Sequence, residues 1–506
     1  MGGYDVAVVG GGSAGCVLAA RLSEDGGRRV LLLEAGPDYA SRAALPVDLA
    51  DGRQPAYSHD WGYTSEPDDA GRSISLPRGR VMGGCSSTNA CIALRGSPAD
   101  YDAWAAAGNK GWAFADVLPY FCAAEADADY PNEEHGTEGP LPIHRFRDAN
   151  MSPWSAAFLE AAILAGHSEV ADHNSPWAVG AGPVPTNESN GLRVSTAVAY
   201  LAGARHRTNL TIRAGAAVDR IVFDGRGAAG VRLAAGEVVE AGTVVLAAGA
   251  YGSPAILLRS GIGPAGELAA LGVQVVAALP GVGLGLLDHP IVSVDGPVGG
   301  GDWDGGRFQT VLTVPSRGRG SNAAPDLQVF ASGPWESGTE RVFGLVLSLL
   351  KPRSRGRLRL RSADPHASPA IDVAHLREAS DRARLAELVT AARELWRQPP
   401  LANLSVGSEI RPGTAVGAAD LEAWVAANAE TCHHPTGTCR MGPDPDAGAV
   451  VDAEGRVYGV EGLRVADASI MPDIPSANTN LPTIMVAERM AAFLRASEAS
   501  DDAGRG

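Results

Sequence analysis

Two imidazoles and two thiols fall together in one short stretch, Thr431-Cys432-His433-His434-Pro435-Thr436-Gly437-Thr438-Cys439-Arg440-Met441-Gly442. Proline after the second His and glycine soon after stop any helix, so the segment reads as a rigid loop displaying its imidazoles. Three chemistries fit. Cys432, His433, His434 and Cys439 are zinc-ligand types, but their spacing matches no usual site and adjacent side chains on extended backbone diverge. The two His also suit plain packing, with His433 and His434 facing opposite sides. A catalytic base is the third reading, because an imidazole of pKa about 6.5 takes up a proton near neutrality. A second amide-rich turn, Pro475-Ser476-Ala477-Asn478-Thr479-Asn480-Leu481-Pro482-Thr483-Ile484-Met485, leads into a helix from Pro482. Its start is either an Asn-rich cap or a dipole end aimed at a group that gains negative charge.

Such side chains need a scaffold, and the first residues supply one. Tyr4-Asp5-Val6-Ala7-Val8-Val9-Gly10-Gly11-Gly12-Ser13-Ala14-Gly15 reads as a buried strand over 6–9, a glycine turn and a helix over 16–22. Gly10, Gly12 and Gly15 fit G-x-G-x-x-G: a tight turn, close approach of a pyrophosphate, and close helix–strand packing. The helix start offers free N–H groups to phosphate. A second strand over 29–33 ends in Glu34, about 20 residues past the motif, where an acid holds ribose hydroxyls. That acid favours NAD or FAD over NADP.

Further strands are expected over 210–212, 218–223, 230–233, 237–239, 243–246, 327–330, 343–349, 357–361 and 463–465. Helices are expected over 100–104, 114–126, 152–165 (Ser152 as N-cap), 255–258 and 381–396. The glycine-rich run Gly79-Arg80-Val81-Met82-Gly83-Gly84-Cys85-Ser86-Ser87-Thr88-Asn89 reads either as a flexible loop or as backbone lying against a flat group. In the second reading Arg80 meets a phosphate and Asn89 a polar ring edge.

Bulk properties set limits. A formal charge of −16 argues against nucleic-acid and anionic-membrane partners. No apolar run is long enough to span a bilayer. The first strand begins almost at Met1, so no leader and a cytoplasmic location are expected. The six Cys form no regular disulfide pattern.

Four motifs in order resemble the glucose–methanol–choline (GMC) family of flavin-dependent alcohol oxidoreductases. They are the N-terminal glycine motif, the run 79–89, Gly249-Ala250-Tyr251-Gly252-Ser253-Pro254 through Ser260-Gly261-Ile262-Gly263-Pro264, and His434-Pro435-Thr436-Gly437-Thr438 with Asn478-Thr479-Asn480-Leu481-Pro482-Thr483. The resemblance covers nearly the whole chain, with choline oxidase-like and other bacterial members similar. It implies an α/β fold: a Rossmann-like FAD-binding domain (1–148, 190–288 and 430–500) interleaved with an α+β substrate-binding domain on an antiparallel sheet (149–189 and 289–429). Residues 501–506 are expected as a disordered tail.

The resemblance further implies oxidation of a primary or secondary alcohol by hydride transfer to flavin N5. His434 matches the active-site base and Asn480 the position of its partner. FAD contacts fall on Gly10, Gly12, Ser13, Ala14, Gly15, Glu34, Ala35, Arg80, Val81, Gly84, Asn89, Cys91, Ile92, Val218, Asp467, Ala468, Asn480, Pro482 and Thr483. Thr88 stands where choline oxidase has a flavin-linking His, so non-covalent FAD is expected, and no metal. His433, Phe330, Trp335 and Asp295 are candidate substrate linings, Asp295 as a shifted counterpart of the choline-binding Glu. The electron acceptor is O2 or another oxidant. Flavin lyases or decarboxylases of the same fold are the alternative, and a homodimer is open.

Overall fold

Val6, Ala7, Val8 and Val9 are buried, as are Val30, Leu31, Leu32 and Leu33. Continuous apolar runs of this kind belong to parallel strands covered on both faces. In the computed structural model, which describes residues 3–147, 150–299, 301, 303, 305–319, 323–338 and 340–503, Tyr4–Val9 and Val30–Leu33 lie side by side and parallel. Five parallel strands follow the spatial order 463–465, 238–246, 4–9, 30–33, 210–213. Helix Ser13–Leu22 leaves the first strand and packs on the last helix, Asn480–Ala503. An antiparallel pair, Val218–Asp224 and Gly227–Leu233, joins the same sheet.

The strands expected over 237–239 and 243–246 are one strand, Val238–Leu246. Gly242, which lies between the two expected strands, sits inside it. Residues 238–240 pair antiparallel with 230–232, whereas 241–246 pair parallel with 4–9, so the strand changes partners without ending. The helix expected over 114–126 stops at Ala124, and Glu125–Asp127 becomes a short strand. The helix expected over 255–258 is longer, Gly249–Arg259. Pro153–Leu164 forms as expected, with the Ser152 hydroxyl accepting from the Ser155 N–H at 3.1 Å.

A second, antiparallel sheet has the order 430–431, 290–297, 340–349, 327–337, 308–314, 180–183. Its strands Pro290–Pro297 and Phe308–Val314 are not among those expected from sequence. Side chains alternate between its faces. Val292, Val294, Val329, Ala331, Leu345 and Leu347 join a core with helices Pro153–Leu164 and Ala379–Trp396. Ile291, Ser293, Asp295, Phe330 and Val346 line a cavity on the other face. Trp396, at the end of the helix expected over 381–396, packs at that core beside Phe343.

A buried ionic cluster holds residues 95–172 together. Arg145 pairs with Asp127 at 2.9 Å and Asp172 at 2.6 Å, and Arg95 pairs with Glu125. His135 lies 3.0 Å from Glu125 and 2.9 Å from Asp172. Burial alone would lower its pKa, but bonds to Asp127, Asp172 and Glu125 outweigh burial and lift it to about 10. Glu125, Asp127 and His135 are the one group of metal-ligand type among the described residues. Arg95 and Arg145 already supply its positive charge. The expected tail 501–506 meets the end of the helix Asn480–Ala503, and residues 504–506 lie outside those described. No described helix is long and apolar enough to cross a membrane.

Candidate active site

Ligands of open parallel sheets bind beyond the carboxyl ends of the strands. Here those ends carry Gly10, Glu34, Ala247 and Asp467, and all four line one cavity of ≈ 780 Å³. The cavity runs on past Arg80, Gly84 and Asn89 to His433 and His434, and ends among Phe330, Trp335, Asp295 and Arg307.

The glycine turn fits a dinucleotide. A Cβ on Gly15 would stand 1.8 Å from the Gly10 carbonyl oxygen, so only glycine lets this helix approach the strand. A Cβ on Gly12 would meet nothing nearer than 3.9 Å, which leaves open room beside that backbone. Glu34 is buried, and its two carboxylate oxygens accept from the N–H groups of Gly11 (2.8 Å) and Gly36 (2.7 Å). Burial pushes its pKa up against those donors. Asp467 closes the far side, accepting from the Gly249 N–H at 2.8 Å, the Ser253 hydroxyl at 2.6 Å and the Ser469 N–H at 2.8 Å. These residues fit FAD: a bare glycine floor for the pyrophosphate, an acid at the second strand end, and a continuous space for the ring system.

Two segments far apart in sequence build the imidazole end. Backbone bonds zip 287–289 to 432–436: Thr436 N–H to Leu287 O at 2.9 Å, Leu287 N–H to Thr436 O at 3.1 Å, and Cys432 N–H to His289 O at 2.9 Å. The Asp288 carboxylate pins both, accepting from the N–H groups of His289 and His434 at 2.8 Å each and from the Thr431 hydroxyl. Burial alone would raise the Asp288 pKa; His375, 3.4 Å away, and the Thr431 hydroxyl outweigh it and hold it well below the carboxylate range. His433 adopts φ +66°, a left-handed turn rare outside glycine. That turn puts the His433 side chain on the cavity wall along with His434, instead of on the opposite side.

The His434 ring sits between two partners. Its Nδ1 lies 3.0 Å from Nδ1 of His289, and its Nε2 lies 3.3 Å from the Asn478 amide nitrogen. The Oδ1 of Asn478 is buried with no partner among the described residues. Burial drives the His434 pKa well below the usual value, with His289, His433 and Arg78 adding to it. His433 stands exposed at the cavity wall, where the surrounding protein and the nearby Arg78 push its pKa down.

Gly10, Gly12, Ser13, Ala14, Glu34, Ala35, Arg80, Gly84, Asn89, Ile92, Val218, Asp467, Ala468, Asn480 and Thr483 line the cavity, as do the four candidate substrate residues. Gly15, Val81, Cys91 and Pro482 are not on its wall. Gly15 packs against the first strand, Val81 packs with Leu49 and Ala56, and Cys91 turns its thiol to Arg193 at 3.7 Å. The Oδ1 of Asn480 accepts from the Ser13 hydroxyl at 2.8 Å, and the amide that meets the His434 imidazole is that of Asn478. Cys432, His433, His434 and Cys439 do not gather into a ligand set, and Cys432 is half-buried with its thiol 3.9 Å from the Ser348 hydroxyl. His289 is the residue the sequence reading passes over. Its signal is the His-Pro dipeptide at 289–290, repeated at 434–435. Asp295 is buried, its Oδ2 accepting from Ser293 at 2.9 Å with Arg411 at 3.6 Å.

The family model described as GMC oxidoreductase matches residues 4–291 and 352–487. The chain is 35% identical to an oxygen-dependent choline dehydrogenase of Photobacterium profundum over 96% of this chain and 92% of that one. It is 34% identical to pyridoxine 4-oxidase from Mesorbium loti, with a TM-score of 0.89 over 97% of this chain and 98% of that one. A formate oxidase structure, at 24% identity and a TM-score of 0.90 over 98% and 99% of the two chains, shares the fold.

Proposed function

The chain belongs to the GMC oxidoreductase family, and from that premise we propose that it binds FAD non-covalently and oxidises a primary or secondary alcohol to the aldehyde or ketone. The observation that carries this reading is one continuous cavity joining the glycine turn to the base nitrogen of His434. FAD, when bound, supplies the hydride acceptor. Gly12 and the start of helix Ser13–Leu22 would face its pyrophosphate and Glu34 its ribose, and Asp467 fixes the backbone of Gly249 and Ser469 on the far side of the cavity. Thr88 on the cavity wall has no nucleophilic ring with which to form a link.

His434 is the base. Held neutral by its buried setting, it has a lone pair ready for the hydroxyl proton of the alcohol. The Asn478 amide, 3.3 Å from the imidazole, is the neighbouring donor for the alkoxide oxygen as the proton leaves. Asn480 takes a different role from the one expected, bracing the glycine turn through Ser13. Removing the proton raises electron density on the carbinol carbon, which favours hydride loss. Phe330, Trp335 and Asp295 shape the far end, with Arg307 over the Trp335 ring at 4.9 Å. The domain division expected from sequence carries over as a proposal, supported by an antiparallel sheet drawn almost wholly from the two segments assigned to substrate.

The choline and pyridoxine named for the relatives set the panel that tests the reading, with benzylic, furanic and aminosugar alcohols added. The holoenzyme is titrated with each alcohol without oxygen while its flavin spectrum is followed. Bleaching by one class, with the carbonyl product formed in equal amount, is the expected result. A flavin that stays oxidised with every member overturns the proposal. Rapid recolouring in air marks O2 as the acceptor, and slow recolouring marks another oxidant.

A further inference from the structure

We infer that His289 is a positioning residue that fixes the tautomer of His434: its Nδ1 accepts the His434 Nδ1–H, leaving the His434 Nε2 lone pair toward the cavity. This rests on reading His434 as the base. The two Nδ1 atoms are 3.0 Å apart. A hydrogen bond between two neutral imidazoles needs one donor and one acceptor, so a single proton lies at that contact. Two arrangements satisfy it. If His289 donates, His434 carries its proton on Nε2, and that N–H calls for the Oδ1 of Asn478 to be turned toward it. If His434 donates, its Nε2 accepts from the Asn478 amide N–H at 3.3 Å, and the Nε2–H of His289 is a buried donor with no partner among the described residues. Only the second arrangement leaves a lone pair on the His434 Nε2, as a base acting there requires.

The pair is held rigidly enough to enforce this choice. His289 is 0% exposed, its ring set nearly perpendicular to that of His434 at an interplanar angle of 86°. Asp288 accepts from the backbone N–H of both histidines, so the main chain that carries each ring is tied to one buried carboxylate. The charged and titratable groups around the pair are Asp288, His433 and Arg78 beside His434, and Asp288, Lys351 and Asp100 beside His289. The direct partner of His434 is thus uncharged. A carboxylate in that place would pair with the imidazolium and retain the proton; a neutral imidazole orients the base without trapping it.

Three variants of the FAD-loaded enzyme test the inference. His289→Asp puts a carboxylate against His434 and raises its pKa, so the acidic limb of the pH profile for alcohol-dependent flavin reduction moves up by at least about one unit. His289→Leu removes the acceptor, and the rate near neutrality falls by about 10²-fold as the base loses its fixed tautomer. His289→Asn returns an acceptor oxygen at that place and restores most of the lost rate with the wild-type limb. A residue that only filled space would leave the limb unmoved in a folded, FAD-loaded His289→Asp enzyme, and that result overturns the inference. Nitrogen NMR of histidine-labelled holoenzyme reads the tautomer without turnover. The expected spectrum has His434 protonated at Nδ1 in the wild type and mixed in His289→Leu. A wild-type His434 protonated at Nε2 also overturns the inference, whereas absence of any alcohol-dependent reduction overturns only the assigned reaction.

Discussion

Exchanging Gly12 for alanine separates a glycine kept for its ligand from a glycine kept for the fold. Gly12 has φ −80° and ψ −161°, a conformation open to any residue. A methyl group there meets no atom within 3.9 Å, so no strain arises in the cofactor-free protein. The same methyl occupies the ground on which the pyrophosphate would rest, and overpacking of this kind costs about 1–3 kcal/mol. That corresponds to about a 5- to 150-fold weaker FAD complex, since 1.4 kcal/mol is about tenfold. Gly15→Ala is the contrast, because its methyl would stand 1.8 Å from the Gly10 carbonyl oxygen. Helix and strand must move apart, and the loss falls on stability. The assay is paired: thermal unfolding of the FAD-free proteins, then FAD titration followed by flavin fluorescence. Gly12→Ala is expected to melt like the wild type and bind FAD poorly; Gly15→Ala is expected to melt lower even without FAD. A Gly12→Ala protein that binds FAD as tightly as the wild type refutes the placement of the pyrophosphate.

Other outcomes follow from the same geometry. Asn478→Ala is expected to slow alcohol-dependent flavin reduction by about 10²-fold with FAD retained, while Asn480→Ala acts mainly on FAD affinity through Ser13; equal loss of rate in both would remove the distinction. Arg145→Leu strips the partner from Asp127 and Asp172, side chains 0% and 8% exposed, and is expected to cost about 3–5 kcal/mol in denaturant unfolding. His289, fully buried, has a pKa lowered to about 4, so the unfolded chain protonates first. Its contribution is complete above about pH 6.5 and is lost as pH falls toward about 4. His135, raised to about 10, contributes fully below about pH 6.5 and loses that contribution as pH rises through about 10. Denaturation midpoints measured from pH 4 to 10 should decline at both ends, and His135→Gln should flatten the alkaline side. A midpoint that is flat from pH 7 to 5 contradicts a buried neutral imidazole at His289.

The parts legible in the sequence are those whose meaning is local. Three glycines between an apolar run and a helix specify a backbone path within a few residues, and the structure follows it at Gly10, Gly12 and Gly15. His434 stands out because proline and glycine bar it from a helix. His289 carries the same dipeptide, but its value comes from a pairing 145 positions away that only the zip between 287–289 and 432–436 creates. Asn478 and Asn480 lie two residues apart in an irregular turn, where spacing alone does not say which amide faces the imidazole. Val81 and Cys91 sit in the right segment with their side chains turned into other packing. The strand Pro290–Pro297 carries its signal in the alternation Val292-Ser293-Val294-Asp295, too short to stand out between glycine-rich stretches, and Ser293 and Asp295 are positions facing the cavity.

The central claim, that His434 removes the hydroxyl proton of an alcohol bound in this cavity, is tested most directly by single-turnover reduction of the flavin. Wild type and His434→Ala are loaded with FAD and mixed without oxygen with the alcohol that bleaches the wild type. The account requires equal FAD content and a rate near neutrality lower by about 10²–10⁴-fold, recovering as rising pH ionises the alcohol in solution. A His434→Ala enzyme that reduces its flavin at the wild-type rate would contradict it.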